Sequence, residues 1–206
     1  CSQEPAVHKD EHDALKRFDP QGAIPDTFRI GITPSSGEDT GKRLLPLVAY
    51  LAGKLDLDVK SVTAASYPAL AQMVEDREVE VGIFSPAAYV TARRNMNGVA
   101  IATATRLGSP TYLGYLVVLK PDVEPGDAPD PPPLIEDMAG KRVAWVNKSS
   151  TSGYHYPRAM LRSKGIDPDD FFGEQIFALD HEKAATMVIE GRADVAAVAS
   201  AFADPG

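Results

Sequence analysis

What this sequence has little of narrows it first. There is one cysteine in 206 residues, Cys1, so no disulfide can form within the chain and no internal thiol can react. No apolar run approaches the roughly 20 residues that cross a bilayer as a helix. Lysine and arginine are outnumbered by acids, giving a formal net charge of −8. That argues against the clustered basic surface that nucleic acids or anionic membranes require. A small anion is not excluded, because local dipoles hold it whatever the net charge. The catalytic signatures are missing as well: no G-x-x-x-x-G-K-[ST], no strand followed by G-x-G-x-x-G, no G-x-S-x-G and no H-E-x-x-H. Histidines number four. Of these, His8 and His12 sit four apart among acids in a polar stretch that reads as solvated, and no metal site is expected.

What is there is ordinary globular material, 44% hydrophobic and 24% charged. Residues 1–27 are polar and punctuated by proline, with no apolar stripe, and read as a tether. A chain whose first residue is Cys, followed by such a tether, is expected to be a lipoprotein acylated at Cys1, held outside the cytoplasm with no other membrane contact. From Phe28 onward the pattern alternates. FRIGIT, LDVKSVTA, VEVGIFS, GVAIATATR and YLGYLVVLK read as strands, and the segments near Leu44–Leu55, Tyr67–Glu78 and Ser85–Asn95 as helices. Residues 121–133 are too rich in proline and acid to carry structure. Beyond them the alternation restarts, with LIEDMAGK, RVAWVN, a loop and helix in STSGYHYPRAMLRSKG, EQIFAL, HEKAATMVIEG and ADVAAVA. The expected architecture is α/β in two lobes, residues 28–120 and 134–206, joined by the Pro-rich loop.

Open α/β sheets bind ligands at the carboxyl ends of strands, where helix starts present amide groups. Three such junctions are rich in hydroxyls: Ala65-Ser66-Tyr67, Phe84-Ser85-Pro86 and Asn147-Lys148-Ser149-Ser150-Thr151-Ser152-Gly153. Four consecutive hydroxyl residues before a glycine suit a tetrahedral oxyanion. A plain helix cap needs only one of them, and on pattern alone both readings stand. His181 follows the strand EQIFAL at the same end of the sheet, with capping by Asp180-His181 as the alternative.

At these junctions the sequence resembles the phosphate/phosphite/phosphonate-binding proteins of ABC importers. The resemblance is carried by FRIGITPS, AASYPALAQMVEDREVEVGIFSPAAYV, GSPTYLGYLVV, LIEDMAGKRVAWVNKSSTSGYHYPRAMLRSKGI and LDHEKAATMVIEGRADVAAV, from Phe28 to Val198. It implies a type II periplasmic-binding-protein fold, two lobes with a ligand cleft between them, the first completed by sequence beyond Gly206. It also implies a binding role without catalysis or cofactor, for a small phosphorus oxyanion handed to a membrane permease. Residue by residue, Tyr67 and Tyr112 are implied as contacts from the first lobe and its edge. Ser150, Thr151 and Ser152 are implied as the grip on the phosphorus oxygens, with His181 as a further donor and the backbone near Ser85 approaching the ligand. Members that take aminophosphonates place a carboxylate just after the strand matching ADVAAV. Here that place reads Ala199-Ser200-Ala201, which points to a ligand without an amine. The rival readings are a sensory input domain of this fold and an enzyme on the same scaffold.

Overall fold

Alternating strand and helix signals resolve, in a computed structural model of the chain, into two separate α/β units. The structure describes residues 25–33, 40–105, 108–119 and 134–202. Cys1, His8, His12, most of the expected tether and the Pro-rich segment 121–133 lie outside them. The first unit comprises the described residues through Thr105, and the second those from Gly108 onward.

In the first unit β1 (Thr27–Ile32) is flanked by two parallel neighbours, β2 (Asp58–Thr63) and β3 (Val81–Gly82). A short helix α1 (Thr40–Arg43) leads into α2 (Leu45–Leu55), which follows β1, while α3 (Tyr67–Glu75) follows β2 and α4 (Pro86–Ala92) follows β3. Period-two alternation divides the central strand between two cores. Ile30 and Ile32 pack with Val59 against Leu44, Val48 and Leu51 of the α2 segment. On the other side Leu70 of α3 is fully buried and lies so close to Gly31 that a Cβ there would collide with it. The expected strand GVAIATATR has no regular structure over residues 98–105. Nothing in its alternation supplied a neighbour to pair with, and a strand needs one.

The second unit has a four-stranded sheet in the order β4 (Gly114–Val118), β7 (Val195–Ala199), β5 (Arg142–Trp145), β6 (Glu174–Phe177). Three strands are parallel, and β4 runs antiparallel along one edge, Gly114 facing Ala199 and Val118 facing Val195. This corrects the lobe boundary. The strand in YLGYLVVLK, expected to end the first lobe at residue 120, belongs to the second sheet, so both flanks of the Pro-rich segment lie in the second unit. All five residues of β7 are buried, as befits a central strand covered on both faces. One face of the sheet, with Ala144, Val146, Ala196 and Val198, packs on Ala184 and Val188 of α7 (His181–Ile189). The other, with Val143, Trp145, Val195 and Ala197, packs on Leu161 of α5 (Tyr156–Ser163) and on Phe172. A short helix α6 (Pro168–Phe171), which the sequence reading missed, precedes β6. The expected helix in LIEDMAGK is a 3-10 turn, Ile135–Met138.

At the amino ends of the parallel strands, Arg142 donates from its backbone and guanidinium to Asp194, tying the start of β5 to the start of β7. Those bonds hold the Asp194 carboxyl down at about 2. Among the described residues no helix is long and apolar enough to cross a membrane.

Candidate functional site

The carboxyl ends of the first unit's strands carry two helix starts. Ser66 caps α3, its Oγ accepting from the Ala69 amide at 3.3 Å, and Ser85 caps α4, accepting from Ala88 at 3.3 Å. Each helix has a proline in its first turn, where the missing amide hydrogen costs nothing. Tyr67, the first residue of α3, is half-buried, with its ring stacked on Phe84 at 6.2 Å between centroids. Tyr67 and Ser85 thus lie at one end of one sheet, as expected from the junctions.

The second unit is built differently. After β5 the chain makes a tight turn rather than the expected loop, and enters a π-helical turn, Thr151–His155, that runs directly into α5. Ser150 is the cap: its Oγ accepts from the Gly153 amide at 3.1 Å, and its carbonyl accepts from His155 at 3.0 Å across the wider π ring. The glycine of S-T-S-G is demanded by packing. A Cβ on Gly153 would collide with Val146, whose amide donates to the Gly153 carbonyl at 3.0 Å. The turn is therefore folded back onto its own strand, and Ser150 and Ser152 are buried at 4% and 3% exposure while Thr151 is half-buried.

Gly114 at the start of β4 explains how the edge strand reaches this turn. A Cβ on it would meet the Ser152 Cβ at 3.2 Å and its carbonyl oxygen at 3.4 Å, so the close approach favours glycine. Two residues earlier stands Tyr112, 41% exposed, and the Leu113 carbonyl accepts from Ser200 at 2.8 Å just beyond β7. Tyr112 is therefore part of the second unit, two residues from the glycine that meets Ser152, and not of the first as the resemblance implied. The reason is the reversed direction of β4, which carries the residues before it to the carboxyl end of β7.

His181 opens α7 at the same end. Asp180, buried at 3% exposure, caps that helix by accepting from Lys183 at 2.7 Å and pairs with the Lys183 ammonium at 3.1 Å. The His181 ring is buried, and its Nδ1 accepts from the Ala199 amide at 3.2 Å. That bond leaves the proton of the neutral ring on Nε2 as a donor. Burial pushes the imidazole down to about 4, against the opposing pull of the Asp180 carboxylate, so the ring is neutral at physiological pH. Ala199 ends β7, and Ser200–Phe202 continues as a 3-10 turn without a carboxylate.

The structure therefore gathers Tyr112, Ser150, Thr151, Ser152 and His181 at one end of the second sheet, and Tyr67 and Ser85 at one end of the first. Sequence reasoning passed over the side chain of Asn147. Its Oδ1 accepts from Ser149 at 3.0 Å and its Nδ2 donates to the Leu179 carbonyl at 3.2 Å. An asparagine two residues before a serine run is a turn signal that could have found half of this.

The chain as a whole is similar to known proteins. The chain is 27% identical over 182 residues to the phosphate-import protein PhnD of Mycolicibacterium smegmatis, a match covering 83% of this chain and 54% of that protein. It thus spans about half the length of that curated relative. Among solved structures, PhnD1 of Prochlorococcus marinus in complex with methylphosphonate superposes with a TM-score of 0.71 at 20% identity, over 88% of this chain and 66% of that one. A binding-protein component of an ABC phosphonate transporter from Pseudomonas aeruginosa gives 0.68 at 21% identity, over 85% and 58%. The fold is the type II periplasmic-binding-protein fold that the sequence implied. The family model described as "ABC transporter, phosphonate, periplasmic substrate-binding protein" matches residues 30–205, and the chain belongs to that family.

Proposed function

We propose that this protein is the extracytoplasmic solute-binding component of an ABC importer and that it captures a small phosphorus oxyanion such as phosphate, phosphite or methylphosphonate. The observation that carries the reading is the Ser150–Gly153 turn. Two buried hydroxyls, a half-buried threonine and the first amides of a helix stand where the helix dipole favours negative charge. Nε2 of a neutral His181 adds a donor that brings no charge, and Tyr112 stands at the same end of the sheet, two residues before β4. Such a set binds an oxyanion by hydrogen bonds alone and releases it again, which transport requires. Family membership supports the transport role and gives no support to a sensory one. Tyr67 and the amides near Ser85 are the first unit's contribution to binding in the same reading.

The ligand we propose lacks an amine. An ammonium enclosed in protein needs a carboxylate partner, because an unpaired buried charge is costly. Ala199, Ser200 and Ala201 supply none, and the nearby Asp180 already caps α7 and pairs with Lys183. Calorimetric titration of the complete protein with phosphate, methylphosphonate and 2-aminoethylphosphonate tests both statements. Binding of the first two with clearly weaker binding of the third is expected. Tightest binding of the aminated ligand refutes the selectivity, and no binding of any refutes the function. Acylation of Cys1 belongs to the same proposal. Mass spectrometry of protein expressed with its native leader and extracted from membranes should show a diacylated Cys1, and an unmodified soluble product ends the idea.

A further inference from the structure

We propose that Asn147 is a positioning residue that fixes the distance between the Ser150–Ser152 turn and the His181 ring. This rests on the oxyanion-binding reading above. Asn147 bridges the two loops that follow β5 and β6. Through Oδ1 it closes the turn on its own side, accepting from Ser149 at 3.0 Å. Through Nδ2 it crosses to the other loop and donates to the Leu179 carbonyl at 3.2 Å. A turn-forming asparagine needs only the first bond. The second joins the hydroxyl loop to the residue that leads into Asp180 and His181.

Leu179 shows why that bond matters. Its φ is 76°, a left-handed conformation that a leucine rarely adopts. Its side chain is 65% exposed, so apolar packing does little to hold it there. Its backbone is gripped at both ends instead, the amide donating to Val146 at 2.8 Å and the carbonyl accepting from Asn147. Strained backbone persists where its surroundings over-determine it, and here one of the restraints is a side chain of the anion-holding loop. Released, Leu179 relaxes toward negative φ and turns the chain entering α7, carrying His181 away from the hydroxyls.

Three variants of the complete protein separate this from a turn-forming role. Asn147→Ala removes both bonds. Asn147→Ser keeps an oxygen for the Ser149 amide but cannot reach Leu179. Titrated with inorganic phosphate, both should lose roughly tenfold in affinity, the worth of one hydrogen bond. Adding Leu179→Gly to Asn147→Ser should recover most of that loss, because glycine occupies the left-handed region without a Cβ penalty. Wild-type affinity in Asn147→Ser, or no recovery in the double variant, overturns the proposal. The imidazole nitrogen resonances of His181, recorded without ligand, should move in Asn147→Ser while the thermal midpoint stays close to wild type. Unmoved resonances overturn the inference even if the wild type binds no phosphate. That last result would defeat the functional reading separately.

Discussion

The two units offer the same invitation at their strand ends and answer it differently. In the first, Ser66 and Ser85 each cap one helix, accepting from the third amide onward at 3.3 Å. At the second unit's hydroxyl-rich junction Ser150 does this, and Ser152 is buried beside it without capping a helix. Hydroxyls at a strand-to-helix junction are therefore ambiguous one at a time. They point to a ligand when they outnumber the amides that capping can satisfy and are buried besides. The second unit also has tertiary constraint around its junction: a glycine forced by Val146, another favoured by the close approach of Ser152, and a histidine held by Ala199.

The strongest way to break the comparison is pH. His181 titrates normally near 6.5 when unfolded and at about 4 when folded, so the unfolded chain takes up the proton first as pH falls. Stability conferred by the neutral ring is complete above about 6.5 and is lost as pH drops toward 4, a loss of about 3 kcal/mol in all. The first unit has no histidine among its described residues and should show no such step. Amide exchange followed residue by residue between pH 7 and 4 should weaken protection in β7 and α7, and His181→Gln should flatten that dependence. Equal loss in β1 and β2 would show that the two units do not differ in this way.

A smaller effect sharpens the functional side. Ser152→Ala removes a hydroxyl that caps nothing, so its cost should fall on binding. We expect phosphate affinity to drop by about 2 kcal/mol, as for a lost hydrogen bond to a charged group, with the thermal midpoint little changed. Calorimetry paired with a melt decides it. Unchanged affinity for every phosphorus oxyanion would reduce the turn to packing. The smallest effect is the converse. Ser66→Ala should cost about 1 kcal/mol of stability through the lost α3 cap and leave phosphate affinity alone. A large loss of affinity there would erase the contrast between the two junctions.

Much of this protein could be read directly from its residues. Val143, Trp145 and Val195 alternate with Ala144, Val146 and Ala196 as a two-faced sheet requires, and Ser66, Ser85 and Asp180 stand where helices begin. These are local properties. Side-chain direction repeats every two residues in a strand, and a cap bonds an amide three residues away. The place of the hydroxyl run at 149–152 and of His181 after their strands was legible for the same reason.

Pairing is not local, and there the reading failed. Alternation in Gly114–Val118 announces a strand but is silent on its neighbour and its direction, which depend on β7 some eighty residues later in the chain. Residues 98–105 alternate almost as well and form no strand. The same ignorance hid the partner of Asn147, because Leu179 is thirty-two residues away and approaches only when β5 and β6 lie side by side. By itself the sequence determined which segments become strands and helices and which junction is rich in donors. Only the tertiary structure decided that β4 reverses into the second sheet and brings Gly114 to Ser152, because a strand's partner is chosen by long-range packing and not by its own period.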